Sequence, residues 1–230
     1  MQLKNSRSKL HISTILKIII LVLFMAVIAR LAIWENQYYS SQEGRTRIMP
    51  RTPGDVSTDS TDVDESIISE QQISDHIVPS NHPRFLTIEK ISVKNARIFS
   101  VNETPSGAIQ VPRNIFDVGW YIKSSLPETN GTAIFDGHNG GPTMQGVFKN
   151  LGLLTQGDII TIEMGNGTKV HYQVYDNKSV TLEEANQKMR SLQTTPIEGA
   201  ESISLITCTG EWSDLQKTYL SRQFLRATRI

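Results

Sequence analysis

Hydrophobic and polar residues alternate over short distances in the C-terminal two thirds of the chain, as they do in half-buried strands. A Gly165-Asn-Gly167 turn joins two of these runs and is typical of a β-hairpin. The runs with strand-like patterns lie at residues 86–93, 96–100, 132–136, 158–163 and 168–175. Because strand patterns dominate residues 84–230, the sequence predicts an all-β domain, a mostly antiparallel β-barrel.

Helical patterns are few in the same region. Thr181-Leu-Glu-Glu184 has the form of a capping box, in which a threonine and a glutamate three residues later bind each other's backbone N–H groups. It predicts a helix that extends to about Leu192. A second short helix is predicted at residues 147–151, so the barrel is expected to carry one or two short helices.

A long apolar segment lies near the N-terminus, at residues 12–34, and its residues 18–29 carry no charge. About 23 helical residues, each rising about 1.5 Å, can cross a bilayer core of about 30 Å. The basic residues before the segment predict a cytoplasmic tail at residues 1–11 and an extracytoplasmic location for everything after Trp34. A cleaved signal peptide is the competing interpretation. Ala26-Val-Ile-Ala29 followed by Arg30 is, however, a poor cleavage site, and the sequence favours an uncleaved anchor.

Residues 35–83 are rich in serine, threonine, aspartate, glutamate and glutamine, and they contain few aromatic side chains. Such a segment buries too little apolar area to offset its ordering entropy, and it is therefore predicted to be a flexible linker. A helix that begins near Ser66, ends near Ile73 and packs over the domain is the alternative for part of it. Residues 84–230 have the length of one ordinary domain.

Charge and cysteine content exclude some classes of function. The chain has 23 basic and 23 acidic residues, which gives no basic excess for binding nucleic acid. Its single cysteine has no partner for an internal disulfide. The chain contains no HxH, HExxH or paired-cysteine spacing, so neither a metal site nor a cofactor is predicted.

The single cysteine, Cys208, follows the apolar run Ile203, Leu205 and Ile206 and precedes Gly210. This pattern predicts a largely buried strand with Cys208 at its end, where the strand gives way to a loop. A lone cysteine is most often a small buried hydrophobe, so Cys208 by itself does not indicate catalysis. Evidence for a catalytic role must therefore come from the residues around Cys208.

Leu205-Ile-Thr-Cys208 resembles the strand-end motif of the sortases, which are membrane-anchored cysteine transpeptidases. The pair Gly137-His138 upstream and Arg222 downstream stand in the order that this family has. The regions 88–98, 118–121 and 147–151 resemble further sortase segments in their family order. Val118-Gly-Trp-Tyr121 and the loop Cys208-Thr-Gly-Glu-Trp212 are most similar to class F, with class E next.

The resemblance implies a catalytic set of Cys208, His138 and Arg222. Cys208 would form a thioacyl-enzyme, His138 would protonate the departing amine, and Arg222 would stabilise the thiolate or the oxyanion. The implied substrates are secreted proteins with C-terminal LPxTG-like sorting signals, and the acceptor is a cell-wall peptide or a pilin lysine. The implied location is the plasma membrane. Two alternatives remain, a thiol hydrolase of the same fold and a non-catalytic membrane-tethered β-domain.

The assignments of Arg222 and His138 as partners of Cys208 each have competitors in the sequence. Arg226 shares a strand face with Arg222, since side chains repeat every second residue. His76, His82 and His171 compete with His138, which is preferred because it follows an apolar strand. At their ordinary pKa values, a cysteine and a histidine form the thiolate–imidazolium pair only about one per cent of the time at neutral pH.

The stretch Leu126-Pro-Glu-Thr-Asn130 is itself close to a sorting signal. A genuine signal precedes a hydrophobic stretch and a basic tail, whereas this one precedes the strand that leads to His138. Cleavage there would divide the domain. Residues 127–131 are therefore predicted to form a turn.

The basic N-terminal flank gives a prediction on topology. Protease added to intact bacterial cells is expected to digest the region after Trp34 and to leave an N-terminal tag protected. The products are followed by immunoblotting with tags at both ends of the chain. A soluble mature protein that begins near Arg30 would show that the apolar segment is cleaved.

Overall fold

The structure is a computed structural model that describes Arg30 and residues 63–104, 107–188, 199–216 and 218–230. Apart from Arg30, the predicted anchor at residues 12–34 lies outside this part of the chain. No helix within the described residues is long and apolar enough to cross a membrane.

Within these residues, eight strands close into a barrel in the order β1-β2-β3-β4-β7-β8-β6-β5. The strands are β1 (Pro83–Ile88), β2 (Val93–Val101), β3 (Val118–Tyr121), β4 (Gly131–Gly137), β5 (Ile159–Met164), β6 (Lys169–Thr181), β7 (Glu201–Ser213) and β8 (Thr218–Arg229). The all-β barrel predicted from the alternating pattern is confirmed.

Two of the strand pairings in the barrel are parallel, β2 with β3 and β4 with β7, and the others are antiparallel. The predicted hairpin is the β5–β6 pair, in which Ile160 lies opposite Tyr172 and Glu163 opposite Lys169. Gly167 in the connecting turn has a φ of 86°, a left-handed conformation that glycine adopts without steric cost.

The hydrophobic side chains form two clusters because successive residues of a strand face opposite sides of the barrel wall. The barrel interior holds the larger cluster, which includes Phe135, Tyr172, Leu205 and Leu225. A second cluster, here called the outer cluster, contains side chains that alternate with the interior ones. Its members are Tyr121, Ile134, Val180, Ala185, Ile206 and Phe224.

Helices in the described residues are short. Helix α1 (Glu70–Ser74) begins after Ser69, which forms a capping box with Gln72. Helix α2 (Leu182–Lys188) begins after the predicted capping box, in which Glu184 N donates to Thr181 Oγ1 at 3.2 Å. The short helix predicted at residues 147–151 is not formed there. Residues 147–150 form turns, and a 3-10 helix follows at Leu151–Leu153.

Residues 63–82, which the sequence analysis places in the linker, contact the domain. Asp64 N donates to Arg113 O at 2.9 Å, and Ile115 N donates to Asp64 O at 3.0 Å. The Glu65 carboxylate accepts hydrogen bonds from the backbone N–H groups of Thr143 and Met144, at 2.9 and 2.8 Å. These bonds tie the segment to two loops of the barrel, although its composition is that of a linker.

His76 anchors the end of the same segment. Its Nε2 donates to Ile98 O at 2.9 Å, and its ring lies 4.7 Å from the Phe99 ring and 5.6 Å from the Phe85 ring, measured between centroids. The side chain is buried, and burial lowers its pKa to about 4 from an ordinary value of 6.5. The nearby guanidinium groups of Arg97 and Arg84 lower the pKa further.

The depressed pKa of His76 predicts a pH-dependent stability. Between about pH 6.5 and 4 the unfolded chain binds a proton at this residue that the folded chain does not bind. The stabilisation is thus complete above pH 6.5, and up to about 3 kcal/mol is lost as pH falls to 4. Urea unfolding of the full-length protein in mild detergent, followed by tryptophan fluorescence, measures the loss.

His76→Gln keeps a hydrogen-bond donor but does not titrate, so its stability should decline less in this pH interval. The matched control is His171→Gln, because His171 is exposed on β6. Parallel stability curves for the wild type and His76→Gln would contradict the assignment.

Candidate active site

Strand β7 places the predicted catalytic residues in one row. It pairs in parallel with β4, where Asp136 lies opposite Ile206. His138, which follows the end of β4, and Cys208 on β7 each lie two residues further along. On its other side β7 pairs with β8, where Cys208 lies directly opposite Arg222. The pairing thus brings the three predicted residues to one level of the barrel, on the face that carries the outer cluster.

Side-chain hydrogen bonds fix the seam between β4 and β7 at both ends. The hydroxyl groups of Thr132 and Ser202 lie 2.7 Å apart, and Thr207 Oγ1 donates to Gly137 O at 2.7 Å. All three hydroxyl-bearing residues are buried, which explains why serine and threonine alternate with aliphatic residues in β7. A strand that is covered on both faces satisfies its small polar side chains across the seam.

Gly137 is required by packing just before His138. A Cβ atom at this position would lie 2.7 Å from Phe148 Cδ2 and 2.8 Å from Val147 Cγ1, closer than real contacts allow. The Phe148 N–H donates to His138 O at 3.0 Å. The backbone around the histidine is therefore held by the residues that follow the loop 139–146.

The His138 ring is partly buried and oriented by a backbone carbonyl. Its Nε2 lies 2.7 Å from Pro112 O and carries the proton of that hydrogen bond, because a carbonyl oxygen only accepts. Nδ1 is then the nitrogen that can gain or lose a proton. Burial lowers the pKa of His138, an effect that the Pro112 carbonyl partly offsets.

Cys208 is partly buried, and its surroundings favour the neutral thiol. Burial raises the pKa of the thiol, Arg222 lowers it, and the Asp136 carboxylate raises it. Burial is the largest of these effects. The structure therefore moves the pKa values of Cys208 and His138 in the directions that disfavour the thiolate–imidazolium pair.

The Arg222 guanidinium is held by its own end of β8. Its Nη1 donates to Tyr219 O at 2.8 Å and to Ser221 O at 3.0 Å, and Nη2 donates to Thr218 Oγ1 at 3.1 Å. A planar, permanently charged group that is fixed in this way forms a preorganised cation beside the cysteine. Strand β8 begins at Thr218, so Arg222 lies inside the strand, four residues from its start.

Arg226 lies two repeats further along β8, opposite Ser204 and not opposite Cys208. Its guanidinium carbon lies 5.3 Å from the centroid of the Tyr175 ring. The two arginines share a face, as the period of two predicts, but their neighbours differ. In the observed register, Arg222 is the arginine that lies opposite Cys208.

Strand β7 does not end at Cys208 but continues to Ser213. A bulge between Thr209 and Trp212 adds one residue to β7, and Gly210 within it has a φ of 82°. Beyond the bulge, the Trp212 and Tyr219 rings meet edge to face at 5.3 Å. The bulge allows the β7–β8 hairpin to continue past the cysteine, where the sequence predicted a loop.

The competing histidines lie elsewhere. His76 bonds to Ile98 O, and His171 bonds to Thr161 Oγ1 at 3.1 Å on the β5–β6 hairpin. His82 lies 5.3 Å from the Trp120 ring, measured between centroids. Residues 127–130 form turns, as predicted for the stretch that resembles a sorting signal. Among the described residues, no group of three histidine, cysteine or acidic side chains is placed to hold a metal ion.

Sequence reasoning missed Asp136, an acidic residue on an otherwise apolar strand. It is partly buried on the same face as Ile134, and burial raises its pKa to about 7. The Gly137 N–H group and Arg222 oppose that rise. The sequence does contain a signal, since Asp136 lies two residues before His138 and the period of a strand puts both on one face.

Comparison with known proteins gives one family match. The model described as Sortase domain matches residues 86–230. Sortase C-1 from Actinomyces oris (formerly Actinomyces naeslundii) is 23% identical, with 63% of this chain and 72% of that chain covered at a TM-score of 0.46. No curated protein matches the chain.

Two further solved structures are from streptococci. For sortase C1 from Streptococcus agalactiae the identity is 24%, the coverage 71% of this chain and 77% of that chain, and the TM-score 0.48. Sortase C from Streptococcus pneumoniae is 18% identical, with 78% of this chain and 80% of that chain covered, at a TM-score of 0.49. At these TM-scores the likenesses do not assign a class within the family.

The register of β8 predicts different roles for its two arginines. Arg222→Lys keeps the charge but loses the planar fork opposite Cys208, and it is expected to lower turnover of a sorting-signal peptide by roughly 10² or more. Arg226→Lys is the matched control and should cost far less, because Arg226 lies opposite Ser204. Steady-state rates with one peptide, together with thermal unfolding of each variant, check this. A larger loss in Arg226→Lys would move the role to Arg226.

Proposed function

The chain belongs to the sortase family, whose members are cysteine transpeptidases, and from this premise we propose that it cleaves LPxTG-like sorting signals and transfers the cleaved protein to an amine. The observation that carries the proposal is the row formed by His138, Cys208 and Arg222 on neighbouring strand positions. Each of these side chains has a distinct part in acyl transfer.

The first half of the reaction makes a thioester. The Cys208 thiolate attacks the carbonyl carbon of the scissile peptide bond, and the oxygen of the tetrahedral intermediate gains negative charge. Arg222, the permanent cation opposite Cys208, stabilises that charge. His138, protonated on Nδ1, gives its proton to the departing amine as the carbon–nitrogen bond breaks.

The second half reverses these roles. An incoming amine, from a cell-wall peptide or a pilin lysine, attacks the thioester and transfers a proton to His138. The carbon–sulfur bond breaks, and the sulfur leaves as a thiolate beside Arg222. The product is a new amide bond that joins the secreted protein to its acceptor, and the enzyme returns to its starting state.

The protonation states set the reactive fraction of the enzyme. Because burial raises the pKa of Cys208 and lowers that of His138, most molecules at neutral pH hold a thiol and a neutral imidazole. We propose that turnover proceeds from the minority that carry both charges. Catalysis from this minority requires strong transition-state stabilisation, which the fixed guanidinium group of Arg222 supplies.

The outer cluster supports the strands beside the cysteine. Ile206 lies two residues before Cys208, and Phe224 lies two residues after Arg222 on the paired strand. Helix α2 contributes Ala185 to the same cluster, whose members are all buried. The cluster therefore holds β7 and β8 in place beneath the cysteine and the arginine.

We also propose that the protein is a single-pass plasma-membrane enzyme. The apolar segment 12–34 and its basic flank support this location, with the N-terminus in the cytoplasm and the barrel outside. Secreted proteins with C-terminal signals and amine-bearing wall or pilin acceptors are present on that side of the membrane.

The proposed activity is tested with full-length protein in mild detergent and a fluorogenic LPxTG-like peptide, with and without an added amine. Product that contains the amine is expected for the wild type, and none for Cys208→Ala. Cys208→Ala should remain folded by circular dichroism, because the thiol is part of no disulfide. Product formed with water alone would indicate a hydrolase, and complete inertness towards such peptides would indicate a non-catalytic domain.

A further inference from the structure

Asp136 is a carboxyl group on the same barrel face as the proposed catalytic row. Strand β4 places it opposite Ile206, which is two residues before Cys208 on the same face of β7. On the other side of β4 it lies opposite Gly119, which has no side chain. Asp136 is therefore one strand repeat from the level of the cysteine.

The surroundings of Asp136 are largely apolar. Ile134 on β4, Ile206 on the adjacent β7 and Phe224 on β8 beyond it share its face, and all are members of the outer cluster. A carboxylate among such side chains loses hydration, and nearby opposite charge offsets part of that loss. Arg222 is a cation that interacts with this carboxylate, and it also interacts with the Cys208 sulfur.

We propose that Asp136 is a positioning residue of the reaction, whose carboxylate, one strand repeat from Cys208 on the same face, disfavours the thiolate and thereby holds the cysteine as the neutral thiol. The inference rests on the proposed function, in which the Cys208 sulfur is the nucleophile. It concerns a residue that neither the sequence motif nor the family match identifies.

The effect follows from the charges. While Asp136 is ionised, its negative charge repels a thiolate at Cys208. When Asp136 is protonated, that repulsion is absent and the thiolate forms more readily. The carboxyl titrates near neutral pH, with a pKa raised to about 7 by burial, so both states are populated under ordinary conditions.

Other ionisable side chains lie around this face. Tyr121 on β3 donates to the Glu103 carboxylate, and burial raises its pKa to about 12, so it stays neutral. His138 follows the end of β4, and burial lowers its pKa. Lys178 on β6 lies opposite Phe224 and is paired with Asp176 at 2.9 Å. Glu183 and Glu184 on α2 are exposed.

The test measures the reactivity of Cys208 directly. Full-length wild type, Asp136→Asn and Asp176→Asn, in mild detergent, are alkylated with iodoacetamide from pH 5.5 to 9.5 and followed by mass spectrometry. Cys208 is the only cysteine in the chain, so the modification has one site. Asp176→Asn is the matched control, because Asp176 lies opposite Arg226 and not near the cysteine.

Asp136→Asn is expected to react about three- to tenfold faster than the wild type at pH 8, because the thiol pKa falls when the neighbouring charge is removed. The ratio of the two rates should approach one below pH 6, where Asp136 of the wild type is itself protonated. Asp176→Asn should match the wild type throughout. Asp136→Glu keeps the charge and should restore the wild-type profile.

Two outcomes would overturn the proposal. A rate ratio of one at every pH would mean that the carboxylate does not act on the sulfur. A ratio raised equally from pH 5.5 to 9.5 would mean that the substitution only exposes the thiol. If Asp136→Asn fails to fold, Asp136→Ser is the second uncharged variant. Alkylation needs no peptide, so its result is independent of whether the protein transfers sorting signals.

Discussion

The candidate active site depends on the double pairing of β7. Hydrogen bonds to β4 on one side and β8 on the other fix the level of each residue along the strand. A shift of one residue in either ladder would turn Cys208 away from its neighbours, because alternate residues face opposite sides of a sheet. The hydroxyl pair of Thr132 and Ser202 and the bond from Thr207 to Gly137 lock the parallel ladder against such a shift.

Burial is the strongest influence on charge in this site. It moves Cys208, His138 and Asp136 towards their neutral forms, and it outweighs Arg222 in its effect on the sulfur. Arg222 keeps its charge because a guanidinium does not deprotonate in proteins. The resting site therefore contains one fixed cation surrounded by groups that are close to neutrality. Such a site is poorly suited to holding a thiolate at rest and well suited to stabilising negative charge that appears during a reaction.

Much of this arrangement could be predicted from the sequence, because its signals are local. The alternating runs identify strands such as 132–136 and the β5–β6 hairpin, and Thr181 and Glu184 mark the start of α2. The motif around Cys208 and the pair Gly137-His138 identify the residues of the row, but their shared level appears only in the ladder between β4 and β7.

The missed features depend on partners distant in sequence. In the sequence, Asp136 is an ordinary polar residue, and its nearness to Cys208 appears only when β7 pairs with β4. The bulge at Gly210 requires a count of residues on two strands. Residues 63–82 look like a linker, yet Glu65 and His76 find hydrogen-bond partners in the loops and strands of the barrel.

The parallel pairing of β4 and β7 also has a consequence for how the protein folds. The residues bonded across this seam are 70 positions apart in the chain, and β8 must then enter between β7 and β6 to close the barrel. Contacts between distant positions form slowly, because a long loop must be ordered before they are gained. Strand β4 can pair with β3 early, but the histidine meets the cysteine and the arginine only after the C-terminal hairpin arrives. A partly folded chain therefore contains strands and a free thiol, but His138, Cys208 and Arg222 are not yet at one level.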